Sequence, residues 1–139
     1  MWDDFKKKIT YDSVAGMAYI NLTEPCKFEI TDTEELPENT YLSLDLGRDV
    51  PIVGIELGGQ FAEKIGTLKD EHKQFLTKQK EDGEVVFLFQ LENKPIHKSV
   101  SFEGIVEVKF LFADDNCNDF IGIVVNGNNQ NYRKYLSEK

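Results

Sequence analysis

The sequence predicts an α+β fold: a mainly antiparallel β-sheet assembly of about nine strands with a central helical segment and a short C-terminal helix. Three observations lead there. Runs rich in Ile, Val, Tyr, Leu and Phe recur between polar turns in both halves of the chain. Around 61–80 the apolar spacing changes from two to three and four. The chain then ends on NQNYRKYLSEK, whose Tyr132, Tyr135 and Leu136 can pack from one helical face.

Taken in order, 7–12 and 17–22 read as two strands of a first hairpin, separated by SVAG, in which Gly16 can take a positive φ. Residues 27–31 suggest a short strand. TDTEELPEN after it is polar, contains Pro37, and predicts an exposed loop or one helical turn. From Thr40 to Leu46, Tyr41, Ser43 and Asp45 alternate with Leu42, Leu44 and Leu46, the period of a half-buried strand. GRD turns the chain, and 51–57 returns as a strand that tolerates Pro51 at its first position.

Phe61, Ile65, Leu68, His72, Phe75 and Leu76 then mark an amphipathic helix between Gln60 and Lys80. Gly66 and Thr67 could divide it, with Thr67 capping the second piece and Asp70 and Glu71 near its N-terminus. Strands follow at 84–91, 96–102, 105–113 and 120–125. No Pro/Ser/Gly-rich linker separates the halves, which predicts one compact domain over 1–139.

The halves also echo one another. A shift of 68 lays IVGIELGG (52–59) on FIGIVVNG (120–127), matching Gly54 with Gly122 and Ile55 with Ile123. With one residue of slack it lays MAYINL, from Met17, on VFLFQL, from Val86. Two matched glycines in so short a string also arise by chance, so these residues leave open whether 1–66 and 67–139 are pseudo-repeats.

Composition narrows the function classes. The formal net charge is −9, which disfavours direct nucleic-acid binding, since a phosphate backbone needs a basic surface. Residues 1–65 hold 13 Asp/Glu against 6 Lys/Arg, net −7; residues 66–139 hold 12 against 10, net −2. Glu24, Glu29, Asp32, Glu34, Glu35 and Glu38 have only Lys27 as a nearby cation in sequence, and such a surface steers basic partners. No apolar run approaches the ~20 residues that cross a bilayer, and MWDDFKKK lacks the apolar stretch of a secretory signal. A cytoplasmic protein with no membrane partner is expected. Cys26 and Cys117 lie far apart with no ligand spacing, which predicts reduced thiols, not a disulfide or a zinc site.

Tyr11, Asp12, Ala15, Tyr19, Ile20 and Leu22, followed by Asp45, Gly47, Gly54, Ile55 and Glu56, form a pattern of YD, a small residue, Y-I-x-L, and D-x-x-G-x-x-x-G-I-E. Over 9–58 this resembles a bacterial family catalogued as domain of unknown function 2283. The chain departs from that pattern at Gly16, where the family usually has an acidic residue, and by an extra residue around 48–51. The resemblance implies a β-rich fold and carries no established activity.

Three sets of residues could carry chemistry. Asp12, Asp45 and Glu56 allow two readings: convergence at hairpin ends as a metal site or an acid–base pair, or turn chemistry, since Asp12 and Asp45 flank turns, where short carboxylates accept local N–H bonds. DDNCND (114–119) begins like a calcium loop but has Asp119 where the turn needs glycine and Val125 where a bidentate glutamate is required, so an acidic hairpin loop is expected. His72 and His97 have no partner at ligand spacing, and neither a G-x-S-x-G elbow nor a phosphate loop occurs.

These readings lead to a non-enzymatic binding protein without cofactor, whose acidic residues at 24, 29, 32, 34, 35 and 38 neutralise a basic protein partner. An immunity protein or antitoxin against a nuclease toxin is the concrete form, because such an inhibitor presents carboxylates where the nuclease holds phosphates. A solvated acidic surface explains the same residues without a partner. The alternative is a small enzyme or ligand-binding domain using Tyr11, Asp12, Asp45 and Glu56.

Overall fold

The computed structural model describes residues 8–138. Lys7, expected to open the first strand, and Lys139, at the end of the expected helix, lie outside them. Contacts divide the chain into two compact units, one ending at Gln74 and the other beginning at Phe75.

Among the described residues, the first unit is a five-stranded antiparallel sheet with one α-helix. Its strands are β1 (Ile9–Asp12), β2 (Met17–Asn21), β3 (Ile30–Leu36), β4 (Asn39–Gly47) and β5 (Ile52–Leu57), ordered β1-β2-β5-β4-β3. The expected hairpin forms, with Gly16 at φ +68° in its turn. Register fixes the core. Ile9 faces Ile20, Ile20 faces Ile55 and Ile55 faces Leu44, while Ala18, Leu57 and Leu42 form the next row. All are buried, and directly opposed residues share a sheet face. Helix α1 (Gly59–Thr67) packs on β1 and β2 and buries Phe61, Ala62 and Ile65. Each large apolar side chain buried in this way contributes roughly 1.5–3 kcal/mol.

Two expectations fail in this unit. Residues 32–36, expected in a loop or helical turn, belong to β3, although six of its seven residues are exposed. An edge strand whose one buried residue is Leu36 shows no alternation, and acidic residues are depleted in strands, so its sequence reads as loop. The helix does not run from 60 to 80. It ends at Thr67, whose hydroxyl donates back to Lys64 O (2.9 Å) instead of capping a second helix, and Leu68 is extended. A single 3₁₀ turn (Asp70–His72) follows. The apolar spacing at Phe75 and Leu76 belongs to the second unit.

That unit contains β6 (Leu76–Gln79), β7 (Val85–Gln90), β8 (Lys98–Val100), β9 (Val108–Phe112), β10 (Phe120–Asn126) and α2 (Gln130–Ser137). Among the described residues there are ten strands, against an expectation of about nine. Phe89–Ile123–Phe110 and Phe87–Val125–Val108 are its buried cross-strand rows. Helix α2 buries Tyr132, Tyr135 and Leu136, as its spacing predicts, and Asn129 caps it by accepting from Asn131 N–H (2.9 Å).

The second sheet runs β6-β7-β10-β9-β8, the strand order of the first sheet. The likeness extends to detail. In β4–β5 the register passes from Asp45 opposite Gly54 to Leu46 opposite Ile52; in β9–β10 it passes from Leu111 opposite Gly122 to Phe112 opposite Phe120. Each fifth strand therefore carries an extra residue, Val53 or Ile121, just before a glycine. A helix follows that strand in both units.

Candidate functional site

The face of the first sheet opposite its core row carries the polar residues of the alternating strands. Tyr19 is opposite Glu56, Glu56 opposite Ser43, and Ser43 opposite Glu35. In the adjacent row, Asn21 is opposite Gly54, Gly54 opposite Asp45, and Asp45 opposite Thr33. Four strands thus contribute to one polar surface.

Asp45 is its buried centre, at 6% exposure. One carboxylate oxygen accepts from the Tyr19 hydroxyl (2.8 Å) and the other from the Thr33 hydroxyl (2.7 Å). A carboxylate taken out of water needs such donors. Tyr19 reaches Asp45 because Gly54 lies between them with no side chain; a Cβ there would collide with the tyrosine ring and hydroxyl. Burial first, then the hydrogen bond to Asp45 and the charges of Asp45 and Glu56, push the Tyr19 hydroxyl far above its ordinary pKa, so it stays a neutral donor. Burial, followed by the charge of Asp45, raises Glu56. Among the described residues no Lys or Arg pairs with either carboxylate.

The structure brings Asp45 and Glu56 to one surface, leaves Tyr11 on the other face and uses Asp12 in the hairpin turn at the end of β1. Tyr11 is opposite Ala18 on the core side and lies against Gly66 of α1. Asp12 makes the turn, accepting from Val14 N–H (3.0 Å) and Ala15 N–H (3.2 Å). Tyr19 and Thr33, Asp45's partners, were not anticipated as site residues. The signal was present for Tyr19, a phenol at an alternating strand position with a glycine in a neighbouring strand; Thr33 was hidden because its strand was not recognised.

The six acidic residues are exposed and fall in three places. Glu24 lies in the β2–β3 connection, as does Glu29. Asp32, Glu34 and Glu35 lie on β3, and Glu38 in the turn after it. Lys27 is not their sole cation: Arg48, brought alongside by β3–β4 pairing, lies 3.5 Å from Glu29 and donates its N–H to Glu29 O (3.1 Å). Glu35 joins the face of Glu56, whereas Asp32 and Glu34 oppose Leu46 and Leu44.

Elsewhere, Asp114 accepts from Asn118 N–H (3.0 Å) and Asp119 N–H (3.1 Å), closing the β9–β10 loop by turn chemistry. His72 and His97 are exposed. Cys26 is exposed and Cys117 buried, and neither is in a disulfide. Among the described residues no three His, Cys, Asp or Glu gather to hold a metal ion, and no helix is long and apolar enough to cross a membrane.

No family model matches the chain. No solved structure matches it either. Over 122 residues, covering 87% of this chain and 88% of the relative, it is 30% identical to the uncharacterised protein YuzE of Bacillus subtilis (strain 168). A likeness of that extent, spanning both sheets, makes the chain a member of the same bacterial family as YuzE.

Proposed function

We propose that this protein is a non-enzymatic binding module that captures a basic protein partner on the acidic surface of its first unit. One observation carries the reading: Asp32, Glu34 and Glu35 are presented together on an exposed edge strand, not scattered along a loop. Glu24 and Glu38 extend the same negative field, and Glu29 belongs to it with Arg48 as partial counter-charge. A nuclease toxin domain has the complementary surface, so the role of an immunity protein or antitoxin acting in the cytoplasm suits this chemistry. The test is titration of the full-length protein with a basic toxin domain encoded beside its gene. Expected is salt-sensitive one-to-one binding that falls at least tenfold when Asp32, Glu34, Glu35 and Glu38 are changed to Lys. Unchanged binding would remove the acidic surface from the proposal.

The enzyme or ligand-binding alternative retains Asp45 and Glu56, to which Tyr19 and Thr33 are added as the hydrogen-bond donors of Asp45. It loses Tyr11 and Asp12, which do not join that cluster.

We further infer that the two units derive from duplication of one β-rich module. Shared strand order, the extra residue at Val53 and Ile121, and the glycines that follow support this. Kinship of the first unit with family 2283 is a proposal resting on the motif from Tyr11 to Glu56.

A further inference from the structure

We propose that the outer edge of β3 is a docking edge, to which an extended segment with basic side chains at alternate positions adds as a sixth strand of the first sheet. The proposal rests on the acidic-surface reading above and specifies how the partner is held.

The second unit provides an internal comparison. β3 and β8 occupy the same place, outermost beside the fourth strand of their sheets. Asp32, Thr33 and Glu34 oppose Leu46, Asp45 and Leu44; Lys98, Ser99 and Val100 oppose Phe112, Leu111 and Phe110. By register these are equivalent positions. Yet β8 has three residues and β3 has seven, six of them exposed. Sheets ordinarily keep free edges short, because an unpaired row of N–H and C=O groups invites another strand. The second unit builds the same five-stranded sheet with the short edge, so the fold itself does not demand the long one.

Asp45 helps to hold the long edge in place. The Thr33 hydroxyl binds one oxygen of Asp45, while Tyr19 of β2 binds the other. At the equivalent place in the second unit stands Leu111, which offers Ser99 no such acceptor. The cluster thus ties the middle of the edge strand to the interior of the sheet.

The charges select the occupant. Asp32 and Glu34 alternate along the strand, and Glu35 adds a carboxylate on the other face. A second β3 laid against this edge would set like charges opposite one another, which destabilises strand pairing, whereas alternating Lys or Arg would meet opposite charge. Thr33 N–H is held by the Asp32 carboxylate (2.9 Å) in an exposed contact. An incoming lysine that draws Asp32 away frees that N–H for the added strand. Main-chain bonds over about 23 Å would supply affinity, and the side-chain alternation specificity.

The test uses the full-length protein and three synthetic nonapeptides of alternating lysine and threonine: one unmodified, one N-methylated at every lysine and one at every threonine. N-methylation removes the backbone donor and leaves the charge. Calorimetry at low salt should show the unmodified peptide binding, one methylated peptide weakened at least tenfold, and the other, whose methyl groups face away from β3, binding as before. Thr33→Val, which keeps every charge, should weaken the unmodified peptide severalfold. Should that variant fail to fold, the wild-type protein with the methylated peptides is sufficient. Equal binding of all three peptides overturns strand addition and leaves the acidic-surface reading intact. Failure of every peptide to bind also overturns strand addition, while the toxin-domain titration judges the acidic surface separately.

Discussion

The ring of Tyr19 lies over Gly54, placing its hydroxyl 2.8 Å from Asp45 on the next strand but one. A side chain at position 54 and the Tyr19–Asp45 bond exclude each other. Gly54→Ala should therefore expel the ring and cost about 1–3 kcal/mol, the usual range for overpacking a filled site. In a Tyr19→Ala background the same change should cost markedly less. Urea unfolding of the four proteins of this cycle measures the coupling.

Gly122 occupies the corresponding place in the second sheet for a different local reason. It has φ +156°, and a Cβ there would strike the carbonyl oxygen of Phe89. A backbone carbonyl in a ladder cannot swing aside as a tyrosine can. Gly122→Ala should destabilise the protein more than Gly54→Ala, and no truncation equivalent to Tyr19→Ala should rescue it. Thermal melts of the two single variants rank them.

Thr33 ties β3 to Asp45 with a 2.7 Å bond. Replacing it by Val leaves the carboxylate with one side-chain donor fewer and should cost about 1.5–3 kcal/mol, the range for a hydrogen bond to a charged group. Hydrogen exchange should locate the effect. Amides of β3 and the facing part of β4 should exchange faster, while those of β7 and β10 should remain as in the wild type.

Glu56 supplies a pH signature. Burial, and then Asp45, raise its carboxyl above the ordinary 4.5, so the unfolded chain ionises at lower pH than the folded one. The folded state thus holds its proton longer, and the stability this provides is fully present below 4.5 and lost as pH rises through the folded value. Glu56→Gln removes the charge and keeps the shape. Relative to wild type, it should raise the melting temperature near pH 7 and leave it nearly unchanged near pH 4. An equal shift at both values would contradict the linkage.

Strands that bury one face were legible from their residues. The hairpin at 9–21, the alternation through Leu42, Leu44 and Leu46, and the aromatic runs of β7, β9 and β10 follow from a period of two. The C-terminal helix followed from the spacing of Tyr132, Tyr135 and Leu136. β3 did not, because an edge strand with six exposed residues obeys its neighbour's backbone and leaves little hydrophobic pattern of its own. The apolar spacing reaches past the helix, which ends at Thr67, because Phe75 and Leu76 continue that spacing across a change of structural unit.

Of the candidate site, the sequence supplied Asp45 and Glu56 as carboxylates of interest and the acidic run around 29–38 as a patch of charge. Composition and periodicity by themselves determined the β-rich class, the terminal helix and the uneven charge, since each depends only on which residues follow one another. Tertiary structure decided that Asp12 closes a turn, that Tyr19 and Thr33 converge on Asp45, and that Asp32, Glu34 and Glu35 lie on an edge strand. Those facts depend on register between strands distant in sequence, where a shift of one residue would turn Asp45 to the opposite face.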